Sequence, residues 1–195
     1  MLIVAAALGL AFAIQAWVVK PYKIPSGSME PTLQINQRIL VDRIGMHFTL
    51  PQIGDIMVFH PPSNYGACAD PDQGQNAAGQ DEPQACDVAQ KTPSSLTFVK
   101  RVVGLPGDHL QIINGHVILN GHREHDPYIT LSSCSVGAGP CSFPKAIVIP
   151  KGEYYMMGDN RGDSEDSRFW GPVPKAWLIG YAFFTYWPLG RIGVL

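Results

Sequence analysis

The chain has 195 residues, with 14 Lys plus Arg against 16 Asp plus Glu and a formal net charge of -2. That length holds one sizeable domain, or a small domain plus an anchor, and the lack of a basic surplus excludes the electrostatic footprint of a nucleic-acid binding protein. Gly (20) and Pro (17) fall between short runs of Val, Ile, Phe and Tyr, which marks a turn-rich β domain.

The first element is an apolar run from Leu2 to Val19, interrupted only by Gln15. At about 1.5 Å per residue it reaches roughly 27 Å, close to a hydrocarbon core, and predicts a transmembrane anchor over residues 1–20. A cleavable signal peptide competes, with Ala11-Phe12-Ala13 as a cleavage site. Against it stand the lack of a basic n-region and the continuation of the run to Lys20. A buried core helix is a weaker reading, since no polar face is present. Lys20 and Lys23 after the run would place the following domain in the cytoplasm by the positive-inside rule. The cysteines point outward: Cys68 with Cys86, and Cys134 with Cys141, form two local pairs suited to disulfides in an oxidising compartment. Zinc is the alternative, but neither pair has knuckle spacing. The cysteines outweigh two lysines.

Past the apolar run lies Pro25-Ser26-Gly27-Ser28-Met29-Glu30-Pro31-Thr32-Leu33. The prolines and glycine hold Ser28 on a short extended ledge, a mount for a nucleophile that is equally an ordinary turn. Short strands are predicted over 37–41 and 55–59, with 45–54 connecting them. Residues 61–95 read as a long polar insertion tied by Cys68 and Cys86, with nothing catalytic in it. Leu96 to Val103 is a strand by composition, closed by a Pro106-Gly107 turn. Alternation puts Phe98, Lys100 and Val102 on one face and Val99, Arg101 and Val103 on the other. Lys100 either snorkels to water from an edge strand, as most strand lysines do, or is desolvated and able to act as a base near neutral pH.

Residues 111–119 form a hairpin on Asn114-Gly115, and Asn120-Gly121 ends its second strand. His116, His122 and His125 lie nearby; no acid stands at a metal-ligating spacing, so solvated histidines are the favoured reading and no metal or other cofactor is expected. A further strand is predicted over 146–149. The run Gly158 to Arg168 reads by itself as a solvated loop, and its tripeptides fit neither a trypsin-like nucleophile nor a calcium loop. Trp177 to Trp187 is an aromatic core strand whose rings could also rest at lipid headgroups. No Gly-X-Ser-X-Gly elbow occurs, and no His stands in a triad-like motif. If Ser28 is a nucleophile, Lys100 is the better candidate for its base.

In order, Pro25 to Leu33, Gly54 to Phe59, Lys100 to Asp108, and Gly158 to Arg168 resemble the successive boxes of bacterial type I signal peptidases. The resemblance covers Tyr22 to Asp108 and Tyr154 to the C-terminus, leaving out the 61–95 insertion and most of 110–150. It implies a mainly β protein, in which an N-terminal transmembrane helix precedes a turn-rich antiparallel, barrel-like catalytic domain over 21–195 on the outer face of the bacterial plasma membrane. The implied activity is removal of signal peptides from exported preproteins. Ser28 would be the nucleophile, Lys100 its base, and the Ser28 N–H with the Ser26 hydroxyl the oxyanion hole. Ser164 would orient the lysine, with Asp166 and Arg168 as a supporting ion pair. Tyr22, Ile24, Met29, Leu33, Phe98 and Val99 fall at the family's substrate-pocket positions. The partners implied are signal peptides, membrane lipids and the export translocon, for a monomer. The alternative from another class is a non-catalytic, membrane-anchored β domain that binds exported peptides without turnover.

Overall fold

The computed structural model describes Val4 and residues 18–65, 68, 84–132, 134 and 141–195. The predicted membrane span lies outside the described residues except for Val4 and its last positions. Of these, Val19 and Lys20 begin a strand instead of ending a helix, because they pair with Asp42 and Val41. Among the described residues no helix is long and apolar enough to cross a membrane.

The described residues form two antiparallel sheets. The larger comprises β1 (Val19–Lys23), β2 (Arg38–Asp42), β3 (Ile56–Phe59), β4 (Phe98–Gly104), β9 (Glu153–Met157), β10 (Val173–Pro174), β11 (Leu178–Trp187) and β12 (Gly193–Val194). Its order is β1-β2-β11-β3-β4-β9-β10, with β12 also on β11. The path has two ends, so the sheet does not close into a full barrel. The smaller sheet has the order β7-β6-β5-β8, built from β5 (His109–Ile113), β6 (His116–Leu119), β7 (His122–Arg123) and β8 (Phe143–Val148). Two Asn-Gly pairs fold it: Asn114 and Gly115 sit at φ 52° and 81°, and Asn120 and Gly121 at 52° and 82°. Positive φ at both central residues is the type I′ geometry that matches strand twist. Asn120-Gly121 therefore does more than end a strand; it turns the chain into β7.

Three apolar clusters carry the packing. Ile24, Met29, Leu33, Ile39, Val41, Ile56 and Val58 pack under the ledge. Met57, Phe59, Val102, Met156, Trp170 and Val173 fill the opposite face. Val103, Leu110, Ile112, Val117, Phe143, Ile147 and Tyr155 seal the smaller sheet against the larger. A register shift in the β4–β9 pairing falls between Val102 and Gly104. Such a bulge bends the strand and re-aims a side chain, and Val103 is the residue it delivers to the inter-sheet core. Cys68–Cys86 and Cys134–Cys141 are both disulfide-bonded, with Cα separations of 5.7 and 5.6 Å.

Candidate active site

The ledge is short because its ends are tied. Ile24 N–H donates to the Gln37 carbonyl at 2.8 Å, Asn36 N–H returns to Ile24, and Leu33 N–H closes on Met29. Between these ties Gly27–Met29 makes one 3-10 turn, with Met29 buried beneath it. Ser28 is left at the surface of the turn, its Oγ 3.4 Å from the Ser26 Oγ. The Ser28 N–H has no hydrogen-bond partner among the described residues.

A cleft of about 630 Å³ opens over this turn. Tyr22 to Met29 line one side and Thr97 to Lys100 another, with Arg161 to Glu165 and Phe169 also in the lining. β4 pairs with β3 at Phe98, Val99 and Lys100, but β9 joins it only from Arg101 onward, so those three residues keep a free backbone edge. Among the described residues β1 pairs only with β2. Two unpaired strand edges therefore lie along the walls of one groove. A free edge is a template for an added strand.

Lys100 is 3% exposed, which decides between the two readings of it: it does not snorkel. Its Nζ donates to the Ser164 Oγ at 2.8 Å, and Ser164 in turn donates to Asp166 Oδ2 at 2.8 Å. Asp166 is held by Arg168 through Nε at 2.8 Å and Nη2 at 2.9 Å, and by the Gly158 N–H at 3.0 Å. Burial pulls Lys100 down to about 8, against the upward pull of the Asp166 carboxylate. For Asp166 burial alone would raise the carboxyl, but the Arg168 charge and hydrogen bonds, with help from Lys100, hold it below its ordinary value. The carboxylate stays ionised while the amine is brought near neutrality. Ser28 and Lys100 are not hydrogen-bonded to each other, a looseness common in sites without substrate.

The predicted site residues do not all arrive in one place. Ser26, Ser28, Lys100 and Ser164 line the cleft, as do Tyr22, Ile24, Met29, Phe98 and Val99. Leu33 does not: it is fully buried in the cluster under the ledge, so it supports the turn from below and cannot touch a ligand in the cleft. Asp166 and Arg168 stand behind Ser164, fully buried and ion-paired.

The charged run 158–168 is not the solvated loop its composition indicates. Asp159, Asn160, Arg161, Ser164, Asp166, Ser167 and Arg168 are buried, because their charges are spent on one another and on the ledge. Asp159 takes two hydrogen bonds from Arg101, at 2.9 and 2.7 Å, and a third from Thr32 Oγ1 at 2.5 Å. Arg101 also donates to the Gly54 carbonyl at 2.7 Å and lies 3.9 Å over the Tyr128 ring. In the sequence these partners lie too far apart to be paired, and Arg101 beside Lys100 is the one local sign of a second buried charge. His116, expected in solvent, contacts Asp126 at 3.0 Å, because β6 and the turn after β7 fold together. Among the described residues no three His, Cys, Asp or Glu side chains are grouped as metal ligands.

A family model described as "Signal peptidase, peptidase S26" matches residues 1–187. The chain therefore belongs to the signal peptidase family, peptidase S26. Among its relatives, a signal peptidase I of Leptolyngbya laminosa is 36% identical over 187 residues, which are 95% of this chain and 77% of that protein. Probable signal peptidase I-2 of Synechocystis sp. is 34% identical, over 95% of this chain and 71% of its own. Signal peptidase IB of Staphylococcus aureus is 29% identical, over 96% and 88%. A crystal structure of a signal peptidase I from Enterococcus faecalis V583 shares 22% identity over 68% of this chain and 97% of its own, with a TM-score of 0.46.

Proposed function

We propose that this chain is an endopeptidase that removes signal peptides from preproteins by a Ser28–Lys100 dyad. The observation that carries the reading is the burial of Lys100 in the wall of the cleft that also holds Ser28, with its amine pulled down to about 8. At pH 7 a group of that pKa is neutral in roughly one molecule in ten, enough to serve as a base without a cofactor.

A substrate enters extended, pairing its backbone with the free edge of Phe98 to Lys100 and with the ledge before Ser28, its small side chains resting against Ile24, Met29 and Val99. Neutral Lys100 takes the Ser28 Oγ proton as the oxygen attacks the scissile carbonyl carbon. The oxyanion is met by the Ser28 N–H, which has no other partner among the described residues, and by the Ser26 hydroxyl. One such donor is typically worth about 2.7 to 4 kcal/mol of barrier. Collapse breaks the carbon–nitrogen bond, and Lys100 returns its proton to the leaving amine. A water deprotonated by the same Lys100 then attacks the ester carbon, and as the carbon–oxygen bond breaks Lys100 gives that proton to the Ser28 Oγ. Ser164 holds the amine in line, and Asp166 with Arg168 holds Ser164.

The wider setting belongs to the same proposal. The apolar residues 1–20 anchor the chain once through the bacterial plasma membrane, with the catalytic domain outside, near lipids and the export translocon, as a monomer. Two disulfides suit that compartment. The test is cleavage of a preprotein in lipid vesicles. Ser28→Ala and Lys100→Ala should each abolish it; peptide binding with no turnover by the wild type would instead favour the non-catalytic reading.

A further inference from the structure

Asn160 is buried, lies outside the cleft lining, and approaches the ledge from behind. Its backbone N–H donates to the Ser28 carbonyl at 3.1 Å, and its Nδ2 donates to the Gly27 carbonyl at 3.3 Å. The Gly27 carbonyl belongs to the same peptide unit as the Ser28 N–H. That unit is planar and trans, so its oxygen and its N–H point in opposite directions. Whatever grips the oxygen therefore aims the N–H.

Resting on the peptidase reading above, we propose that Asn160 is a positioning residue for the oxyanion hole: by holding the Gly27 carbonyl it orients the Ser28 N–H toward the reacting carbonyl oxygen.

Two observations support this assignment. Among the described residues the side-chain oxygen of Asn160 is buried with no partner, so the amide is a poor choice for stability alone, and Nδ2 to Gly27 is the polar contact its side chain makes there. The platform behind it is also fixed. Thr130 N–H binds the Asp159 carbonyl at 2.8 Å and Arg161 N–H binds the Thr130 carbonyl at 3.0 Å, while the Asp159 side chain is clamped by Arg101. A donor mounted on such a brace sets the angle of a peptide plane instead of following it. The Glu30 N–H shares the same carbonyl at 3.0 Å, but it belongs to the turn being oriented and moves with it.

The test uses the full-length chain in lipid vesicles with Asn160→Ala and the equal-sized Asn160→Asp, rates being normalised to the folded fraction read by circular dichroism. Each should lower kcat for a preprotein about 10- to 100-fold while KM stays within about twofold, since the lost interaction is felt only in the transition state. Affinity for a peptidyl boronic acid, whose adduct with a serine is tetrahedral, should fall in parallel with kcat. Wild-type kcat in folded Asn160→Ala and Asn160→Asp would overturn the assignment, as would a loss that appears in KM and leaves boronate affinity intact. Ser28→Ala run alongside separates the two levels. Cleavage surviving in Ser28→Ala overturns the peptidase reading, whereas inactive Ser28→Ala with fully active Asn160 variants overturns only the role of Asn160.

Discussion

Lys100 and Ser164 meet at 2.8 Å, and the direction of that hydrogen bond is fixed from behind. Ser164 has a single proton, committed to Asp166 at 2.8 Å, so its oxygen can only accept from Lys100. One N–H of the amine is thereby occupied, and its lone pair, when neutral, is left for another partner. In the proposed mechanism that partner is the Ser28 hydroxyl, across the cleft that both residues line.

The first consequence is a pH profile. In the proposed mechanism the active form of Lys100 is the neutral one, and its pKa is about 8, so kcat/KM should rise from pH 6 and level off above pH 8 to 9. Ser164→Ala should lower the plateau about 10- to 100-fold with little change in KM, because the base is still present but no longer aimed. Stopped assays across pH on both proteins measure this.

Stability should move the opposite way at the same residue. Lys100 is protonated more readily in the unfolded chain, at about 10.5, than in the fold, at about 8. The native state thus binds fewer protons between those values, and the burden on folding is fully present below pH 8 and lifts as pH rises toward 10.5. Lys100→Met should be inactive yet more stable than wild type near pH 7, by up to about 3 kcal/mol, with the difference shrinking above pH 8. Denaturant titration of the two proteins at pH 7 and pH 10 checks both the sign and the window.

Gly158 is required by space and not by its backbone angles. A methyl group there would overlap the Ser28 carbonyl oxygen and the Ser164 Oγ together. Neither neighbour is the loose end of a long side chain, so both must shift. Gly158→Ala should fold with a loss of about 1 to 3 kcal/mol and a fall in kcat of about 10²-fold. Thermal melts and kinetics on one preparation distinguish it from a silent change.

The Arg101–Asp159 pair ties the ledge to the 158–168 loop through Thr32. Asp159→Ala leaves a buried guanidinium without its carboxylate, and stability should drop by about 3 to 5 kcal/mol. Removing both charges, as Arg101→Met with Asp159→Leu, should recover much of that loss. Urea midpoints of the single and double variants are the measurement.

The same residues show what the sequence carries and what it hides. Ser28 on its Pro- and Gly-stiffened ledge and Lys100 in its apolar strand are candidates by local chemistry, whereas Ser164 is singled out only by the resemblance of 158–168 to a family box. The Arg101–Asp159 pair spans 58 residues, and nothing in either neighbourhood names the other. The charges of 158–168 looked solvated because composition counts charges without showing that they neutralise one another. β1 was missed because Pro21 and the preceding apolar run hide a five-residue edge strand. β9 was missed because four of its five residues are buried, so no alternation betrays it. Motif position points Leu33 to the substrate pocket, and the packing under the ledge claims it instead.

The claim at the centre of this account is that Ser28 is acylated with Lys100 as its base. It is tested most directly by acid-quenching the full-length protein during turnover of a signal-peptide ester and mapping the acyl group by mass spectrometry. An ester on Ser28, absent in Ser28→Ala and in Lys100→Ala, is the predicted result. Acylation at any other residue, or an acyl group forming on Ser28 at the wild-type rate in Lys100→Ala, would contradict it.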